Sequence, residues 1–154
     1  MKILFVCMGN ICRSPTAEAV MQRRLAESDI AHRVIIDSAA THGYHLGAAP
    51  DQRSQEYASK RGYDLSSLRA RAVQATDFTE YDWLLVMDHE NRRDLQAECP
   101  PSELQKIKLL LDFANNADTD EVPDPYYGGQ QGFERVLDLI EESIEGLIHY
   151  LKTN

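Results

Sequence analysis

The sequence lacks the features that define several large protein classes. No hydrophobic run approaches the roughly 20 residues that a membrane-spanning helix needs. Lysine and arginine form no cluster beyond adjacent pairs, and the formal net charge is −9, which argues against nucleic acid or an anionic membrane as the main partner. Only three cysteines occur, at uneven spacing, so we expect no disulfide framework and a reducing, cytoplasmic environment.

Internal repeats, low-complexity tracts and interdomain linkers are also missing. A length of 154 residues suits one domain, and a hydrophobic fraction of 43% can fill its core. We therefore expect residues 1–154 to form a single domain that acts as a monomer. The apolar stretch Met1–Cys7 ends too early for a signal peptide, and we interpret it as a buried first strand.

Strands are predicted to alternate with helices along the chain. Apolar runs predict strands at 2–7, 33–40, 82–87 and 106–112, and periodicity with capping residues predicts helices at 15–27, 52–61, 90–98 and 131–152. This alternation is typical of a parallel sheet with helices on both faces, in which ligands bind beyond the C-terminal ends of the strands. The irregular stretch 114–130 is long enough to suggest a functional loop.

The first strand leads into a segment rich in residues suited to anion binding, Cys7-Met8-Gly9-Asn10-Ile11-Cys12-Arg13-Ser14-Pro15. Gly9 and Asn10 tolerate positive φ, so the loop can curl with its backbone N–H groups pointing inward. Inward N–H groups at a helix N-terminus bind anions. Ser14 suits the N-cap of the following helix, and Pro15 suits its first residue.

Two side chains of this loop can carry out chemistry. Cys7 lies at the mouth of the predicted anion site, so we expect it to be a thiolate near neutral pH, with the Ser14 hydroxyl donating to its sulfur. Arg13 can hold two phosphate oxygens at once. A C-x5-R pattern by itself is weak, and a lone cysteine at a strand end is usually an inert, buried residue. The strand, the Gly-Asn loop and the helix start around it favour a reaction centre.

Cleavage of a phosphate ester also needs an acid for the leaving group and a base for the attacking water. Asp124 is the best candidate, since Pro125 fixes the backbone beside it. Most Asp-Pro pairs are simple turns. Here Tyr126 and Tyr127 follow, and they are able to stack on an aromatic substrate.

C-M-G-N-I-C-R-S-P near the N-terminus, together with D-P-Y-Y at 124–127, resembles the low-molecular-weight protein tyrosine phosphatases over nearly the whole chain. The resemblance implies a four-stranded parallel sheet in the order 2-1-3-4. It also implies hydrolysis of phosphotyrosine in protein substrates through a phosphocysteine on Cys7, without metal or cofactor. Arg13 would clamp the phosphate, and Asp124 would act first as acid and then as base. The predicted substrate-binding residues are Met8, Gly9, Asn10, Ile11, Cys12, Ser14, Tyr44, Tyr126 and Tyr127.

The resemblance also implies roles for individual residues. Asn10 would hold the left-handed turn of the loop. Cys12 would form a reversible disulfide with the nucleophile, unless it is simply a small packing residue. Tyr44 stands where family members often carry Trp on the cleft wall. Leu68 stands near a position where many members have a His that anchors the loop Asn, so we expect Ser38 or backbone groups to do so here.

Three other functions remain open. An arsenate reductase on the same fold would need two further cysteines, and Cys99 alone lies downstream. A protein-arginine phosphatase tends to carry Thr where this loop has Ile11, whose apolar side chain favours an aromatic ring. A phosphate-binding or phosphoryl-carrier module would keep Cys7 and need no acid, so Asp124 is the residue that distinguishes it.

A metal site is not expected, because the sequence offers no clear ligand set. His42 and His45 are three residues apart in a predicted loop without a third ligand, and we interpret them as loop polarity. Arg53 and Arg71 are interpreted as surface or scaffold charges rather than substrate contacts.

Overall fold

Four parallel strands form the centre of the fold. The computed structural model describes residues 1–125 and 129–154. Within these ranges the strands are β1 (Lys2–Cys7), β2 (Ile35–Ala40), β3 (Trp83–Val86) and β4 (Ile107–Leu109). They pair in the order β2-β1-β3-β4, and every pair is parallel, as predicted. β1 carries five consecutive buried residues because both faces of the sheet are covered.

The helices of the described residues lie on both faces of this sheet. They are α1 (Arg13–Ala26), α2 (Gln52–Lys60), α3 (Asp77–Glu80), α4 (His89–Glu98) and α5 (Gly129–Thr153). Alternate residues of β1 enter two separate cores, since side chains along a strand point to opposite faces. Ile3 and Phe5 pack with α1 and α5, whereas Leu4 and Val6 pack with α3 and α4. None of these helices is long and apolar enough to cross a membrane.

Three predicted strands are longer than the observed ones, and the strand predicted at 82–87 spans only Trp83–Val86. The strand predicted at 106–112 pairs only over Ile107–Leu109, because Leu110–Phe113 turns into a 3-10 helix. The strand predicted at 33–40 begins at Ile35, after another 3-10 turn. A short apolar run does not by itself distinguish a strand from a buried turn. The single turn of α3 was not predicted, since four residues are too few to show helical periodicity.

The start of α1 also differs from the prediction. The helix begins at Arg13 with Cys12 at the N-cap position, so Ser14 lies inside the first turn and is not the N-cap. The hydroxyl of Ser14 is buried and points back at the loop, where it contacts Cys7 and Asn10. The sequence prediction of a capping role was therefore wrong, and the predicted contact with the sulfur is confirmed.

α5 passes so close to the segment after β4 that one of its positions leaves no room for a side chain. A Cβ built on Gly146 would overlap the backbone carbonyl of Phe113. We predict that Gly146→Ala lowers the free energy of unfolding by about 1–3 kcal/mol, because the helix must move away from a backbone group that cannot rotate aside. Equilibrium urea denaturation measures the loss.

Gly132→Ala in the same helix is the matched control. Its nearest described neighbours are atoms of Pro125 at 3.7 Å and beyond, so a Cβ has room. Alanine also has the higher helix propensity, so we expect this variant to be as stable as the wild type or more stable by up to about 1 kcal/mol. Equal destabilisation by both substitutions would contradict the close approach at Gly146.

Candidate active site

The loop between β1 and α1 has the curled backbone that the sequence predicts. Asn10 has a φ of 56°, and it is the one non-glycine residue with positive φ among those described. Gly9 does not have positive φ, so the prediction that the loop uses a glycine here for its backbone conformation was wrong. Its lack of a side chain instead admits His45, whose Cδ2 would lie 3.0 Å from a Cβ at this position.

Backbone hydrogen bonds from the β2–α2 connection hold the loop from outside. The carbonyls of Cys7 and Met8 accept the N–H groups of Thr41 and His42 at 2.9 and 3.0 Å. The carbonyl of Ile11 is likewise bonded, to a backbone N–H at 2.8 Å. In a trans peptide the C=O and the following N–H point in opposite directions. With these carbonyls turned outward, the N–H groups that follow them face the concave side of the loop and favour an anion there.

The sulfur of Cys7 lies at the floor of this concave side. The residue is 2% exposed. Its Sγ accepts the N–H of Asn10 at 3.3 Å and lies 3.0 Å from the Ser14 hydroxyl. Hydrogen-bond donors and the N-terminus of α1 both favour the ionised form of a thiol. The loop therefore places the sulfur of Cys7 beside its own anion site.

Arg13 is held in one orientation beside the sulfur. The side chain is almost fully buried, and its Nη1 donates to Asp88 Oδ2 at 2.6 Å and to the carbonyl of Val122 at 3.0 Å. Burial by itself would lower the pKa of this guanidinium, but the negative charges of Cys7 and Asp88 raise it above its ordinary value. Arg13 is thus a permanent cation with further N–H groups left for a ligand.

The residues just before Asp124 hold it at the mouth of the same cleft. Two residues earlier, Val122 is fully buried, and its N–H donates to the carbonyl of Met87 at 2.7 Å. This bond ties the segment to the C-terminal end of β3. The carboxylate of Asp124 lies 3.9 Å from Nη2 of Arg13, and its side chain is 35% exposed, so water can reach it.

A cavity of about 320 Å³ brings most of the predicted residues together. It is lined by Cys7, Met8, Gly9, Ile11, Cys12, Arg13, Tyr44, His45 and Asp124. Asn10 and Ser14 do not line it, and they support the loop from behind. Tyr126 and Tyr127 lie outside the described residues, so their predicted substrate contacts stay predictions.

Two residues of the cleft were missed by sequence reasoning or given another role. Asp88 holds Arg13 and also caps α4 by accepting the N–H of Asn91 at 2.8 Å. His45 was interpreted as loop polarity, but it lines the cavity beside Tyr44. Tyr44 is 69% exposed and stacks on His42, with ring centroids 5.2 Å apart.

Among the described residues, no group of three or more His, Cys, Asp or Glu side chains could hold a metal ion.

Asn10 is held from behind the loop by other groups, as expected because Leu68 has no hydrogen-bonding side chain that could anchor it. Its Oδ1 accepts the backbone N–H of Arg71 at 3.0 Å, and its Nδ2 donates to Ser38 Oγ at 3.0 Å. The expectation that Ser38 or backbone groups anchor Asn10 is therefore confirmed. The guanidinium of Arg71 forms salt bridges with two aspartates at 2.9 and 3.0 Å, so its predicted scaffold role is also confirmed.

The second cysteine of the loop differs from the first in its surroundings. Cys12 is buried, and burial raises the pKa of its thiol to about 12, with further contributions from nearby negative charges including Asp51. All three cysteines of the chain are free. Burial of Cys12 therefore disfavours its thiolate form.

Comparisons with known proteins agree on one family. A family model described as low molecular weight phosphotyrosine protein phosphatase matches residues 2–154. The low molecular weight protein-tyrosine-phosphatase YfkJ of Bacillus subtilis is 38% identical over 146 residues, which cover 95% of this chain and 92% of that protein.

Solved structures of similar proteins superpose closely on the fold. The crystal structure of a protein tyrosine phosphatase from Entamoeba histolytica, with Hepes in the active site, has a TM-score of 0.95 at 44% identity and covers 99% of this chain and 97% of that one. The crystal structure of a Drosophila arginine phosphatase has a TM-score of 0.86 at 31% identity, covering 99% and 98%. Backbone similarity thus extends to proteins named for two different substrates.

The contrast between the two loop cysteines predicts selective alkylation. We expect iodoacetate at pH 7 to modify Cys7 first, because a thiol with a pKa of about 12 is ionised in roughly one molecule in 10⁵ at that pH. Mass spectrometry of the digested protein locates the label. Comparable labelling rates at Cys12 and Cys7, or unchanged labelling of the loop in Cys7→Ser, would contradict the assignment of the nucleophile.

Proposed function

The chain belongs to the low molecular weight phosphotyrosine protein phosphatase family, and on that premise we propose that it hydrolyses phosphotyrosine in proteins through a phosphocysteine on Cys7. One observation carries the proposal. The buried sulfur of Cys7 lies under the N–H groups of a curled loop, in one cavity with a fixed arginine and an accessible carboxyl group.

In the first step, the thiolate of Cys7 attacks phosphorus. The S–P bond forms as the bond from phosphorus to the tyrosine oxygen breaks, and the protonated carboxyl of Asp124 gives its proton to that oxygen. Arg13 has N–H groups free of Asp88 and Val122, and these can hold two phosphate oxygens in the plane of the guanidinium. Backbone N–H groups of the loop bind the remaining charge.

In the second step, water attacks the phosphocysteine. Asp124, now a carboxylate, takes a proton from the water as the new P–O bond forms. The S–P bond breaks, and the electron pair returns to the sulfur. The N–H of Asn10 and the hydroxyl of Ser14 stabilise the thiolate that leaves, so the same contacts that prepare the nucleophile also ease its departure.

The walls of the cavity favour an aromatic phosphate ester. Ile11, Tyr44 and His45 line it, and they offer apolar and ring surfaces against which a phenyl ring can pack. Cys7 is 2% exposed at the floor, so a long aryl phosphate reaches its sulfur more readily than the short side chain of phosphoserine. Ile11 also gives no hydrogen-bond acceptor to a phosphorylated guanidinium, which favours tyrosine over arginine.

Two further observations support hydrolysis over the alternatives. Cys99 packs in the core on the opposite face of the sheet from Cys7, so a disulfide relay of the arsenate reductase kind has no downstream partner near the loop. The Entamoeba relative holds Hepes, a sulfonate, in its active site. A ligand that carries a sulfonate group in the active site of a relative is compatible with an anion site in this chain.

Substitution of the acid tests the proposal. We predict that Asp124→Asn lowers kcat for a phosphotyrosine peptide by about 10²–10³-fold, because the phenolate must leave without a proton. The loss should shrink for a fluorinated phenyl phosphate, whose leaving group needs the proton less. Inhibition by inorganic phosphate should change little, since phosphate is held by the loop and Arg13. Steady-state assays with both substrates measure these effects.

The wild-type protein provides the deciding comparisons. Phosphotyrosine, phosphoserine and phosphoarginine peptides are assayed beside Cys7→Ser, and we expect turnover of phosphotyrosine that is lost in the variant. Binding of phosphate without hydrolysis of any aryl phosphate would favour a phosphoryl-carrier module. Higher kcat/KM for phosphoarginine would overturn the assignment to tyrosine.

A further inference from the structure

The side-chain amide of Asn10 has all its hydrogen-bonding groups occupied behind the loop. Its Oδ1 accepts the N–H of Arg71 at 3.0 Å, and its Nδ2 lies 2.7 Å from Ser14 Oγ and 3.0 Å from Ser38 Oγ. A backbone N–H can only donate, so Oδ1 must be the atom that faces Arg71. Both hydrogens of Nδ2 are therefore directed at the two serine oxygens.

The hydroxyl hydrogen of Ser38 is taken by a residue outside the loop. Ser38 Oγ lies 2.6 Å from Oε1 of Glu18, a distance typical of a hydroxyl bonded to a carboxylate. Burial raises the pKa of the Glu18 carboxyl, whereas the hydrogen bond with Ser38 lowers it and favours the ionised form, which accepts and cannot donate. Ser38 therefore gives its hydrogen to Glu18 and turns a lone pair toward Asn10. Glu18 sits half-buried on α1, one turn beyond Ser14.

The direction of these bonds decides what Ser14 can do. Its oxygen accepts a hydrogen from Asn10, so its own hydrogen is left for the sulfur of Cys7 at 3.0 Å. An amide in the opposite orientation would accept from Ser14, and the sulfur would lose that donor. The Arg71 N–H enforces the observed orientation from one side, and Glu18 enforces it through Ser38 from the other.

We propose that Glu18 is a positioning residue for the nucleophile. By taking the hydrogen of Ser38, it reinforces, together with the Arg71 N–H, the direction of a chain of hydrogen bonds that runs through Ser38, Asn10 and Ser14 and ends with a donor on Cys7. Glu18 itself contacts neither the substrate nor the sulfur. The inference rests on the proposed function only in taking Cys7 as the nucleophile.

The charge of Glu18 and its hydrogen bond with Ser38 have opposite effects on the ionisation of the Cys7 thiol. A negative charge near a thiolate disfavours ionisation of the thiol, so electrostatics alone predict a more readily ionised Cys7 when Glu18 is removed. Burial raises the pKa of Glu18, Asp37 adds to this and Arg71 opposes it, and Arg71 and Asp37 pair with each other at 3.0 Å. The hydrogen-bond chain predicts the reverse, a less readily ionised Cys7. The two effects therefore differ in sign.

Titration of Cys7 by the ultraviolet absorbance of its thiolate measures this sign, with Cys7→Ser as the blank. We expect Glu18→Leu to raise the midpoint of the titration by about 0.4–1 pH unit, the equivalent of one net hydrogen bond. Glu18→Gln keeps an acceptor for Ser38 without the charge, so its midpoint should lie at or below that of the wild type.

Controls separate this effect from a general loss of structure or charge. Glu27→Gln removes a carboxylate from the C-terminal end of α1, where it pairs with Arg23 at the surface, and should leave the midpoint unchanged. Ser38→Ala breaks the chain at the next link and should raise the midpoint as Glu18→Leu does. The double variant should show no larger shift than the greater single one, because both remove the same connection.

The activity profile gives a second readout. The acid limb of kcat/KM against pH should move upward by the same amount in Glu18→Leu, while the limb is unmoved in Glu27→Gln. A lower or unchanged titration midpoint in Glu18→Leu overturns the proposal, and if that variant does not fold, the same result in Ser38→Ala overturns it. Because the titration needs no turnover, a wild-type protein without phosphatase activity would contradict the proposed function and leave this test intact.

Discussion

One curled loop concentrates hydrogen-bond donors on a single sulfur, and the rest of the site is arranged around it. The carbonyls of the loop are bonded outward to the β2–α2 connection, and Asn10 makes the left-handed turn, so the N–H groups face inward. This local arrangement explains how a chain with a formal net charge of −9 can hold an anion. Buried donors and Arg13 act at short range, whereas most surface charges are screened by salt.

The sheet topology supplies the other parts of the site at the same edge. β1 ends at Cys7, and the C-terminal ends of its neighbours β2 and β3 lie beside it. Asp88 follows β3, holds Arg13 and caps α4, so one carboxylate links the arginine to the start of a helix. Val122 accepts a hydrogen from Arg13 and leads to Asp124. Asp124, Arg13 and the sulfur of Cys7 are therefore positioned by different segments that meet at one place.

How much of this the sequence predicts depends on whether the interaction is local. β1, α5 and the turn at Asn10 follow from apolar patterning and from residues adjacent in the chain. The partners of Arg13 lie 75 and 109 residues away, and one of them is a backbone carbonyl, so no local pattern indicates them. Ser14 was misjudged for a related reason, because its tertiary contacts with Cys7 and Asn10 override its usual preference for a helix cap.

The most direct test of the central claim is to locate the phosphoryl group during turnover. The protein is mixed with a phosphotyrosine peptide, quenched rapidly in acid, digested and mapped by mass spectrometry. The account predicts a phosphate on the peptide that contains Cys7, bonded to its sulfur, and no such adduct in Cys7→Ser. Steady turnover with no phosphorylated enzyme at any quench time, or a phosphate bonded elsewhere in the chain, would contradict it.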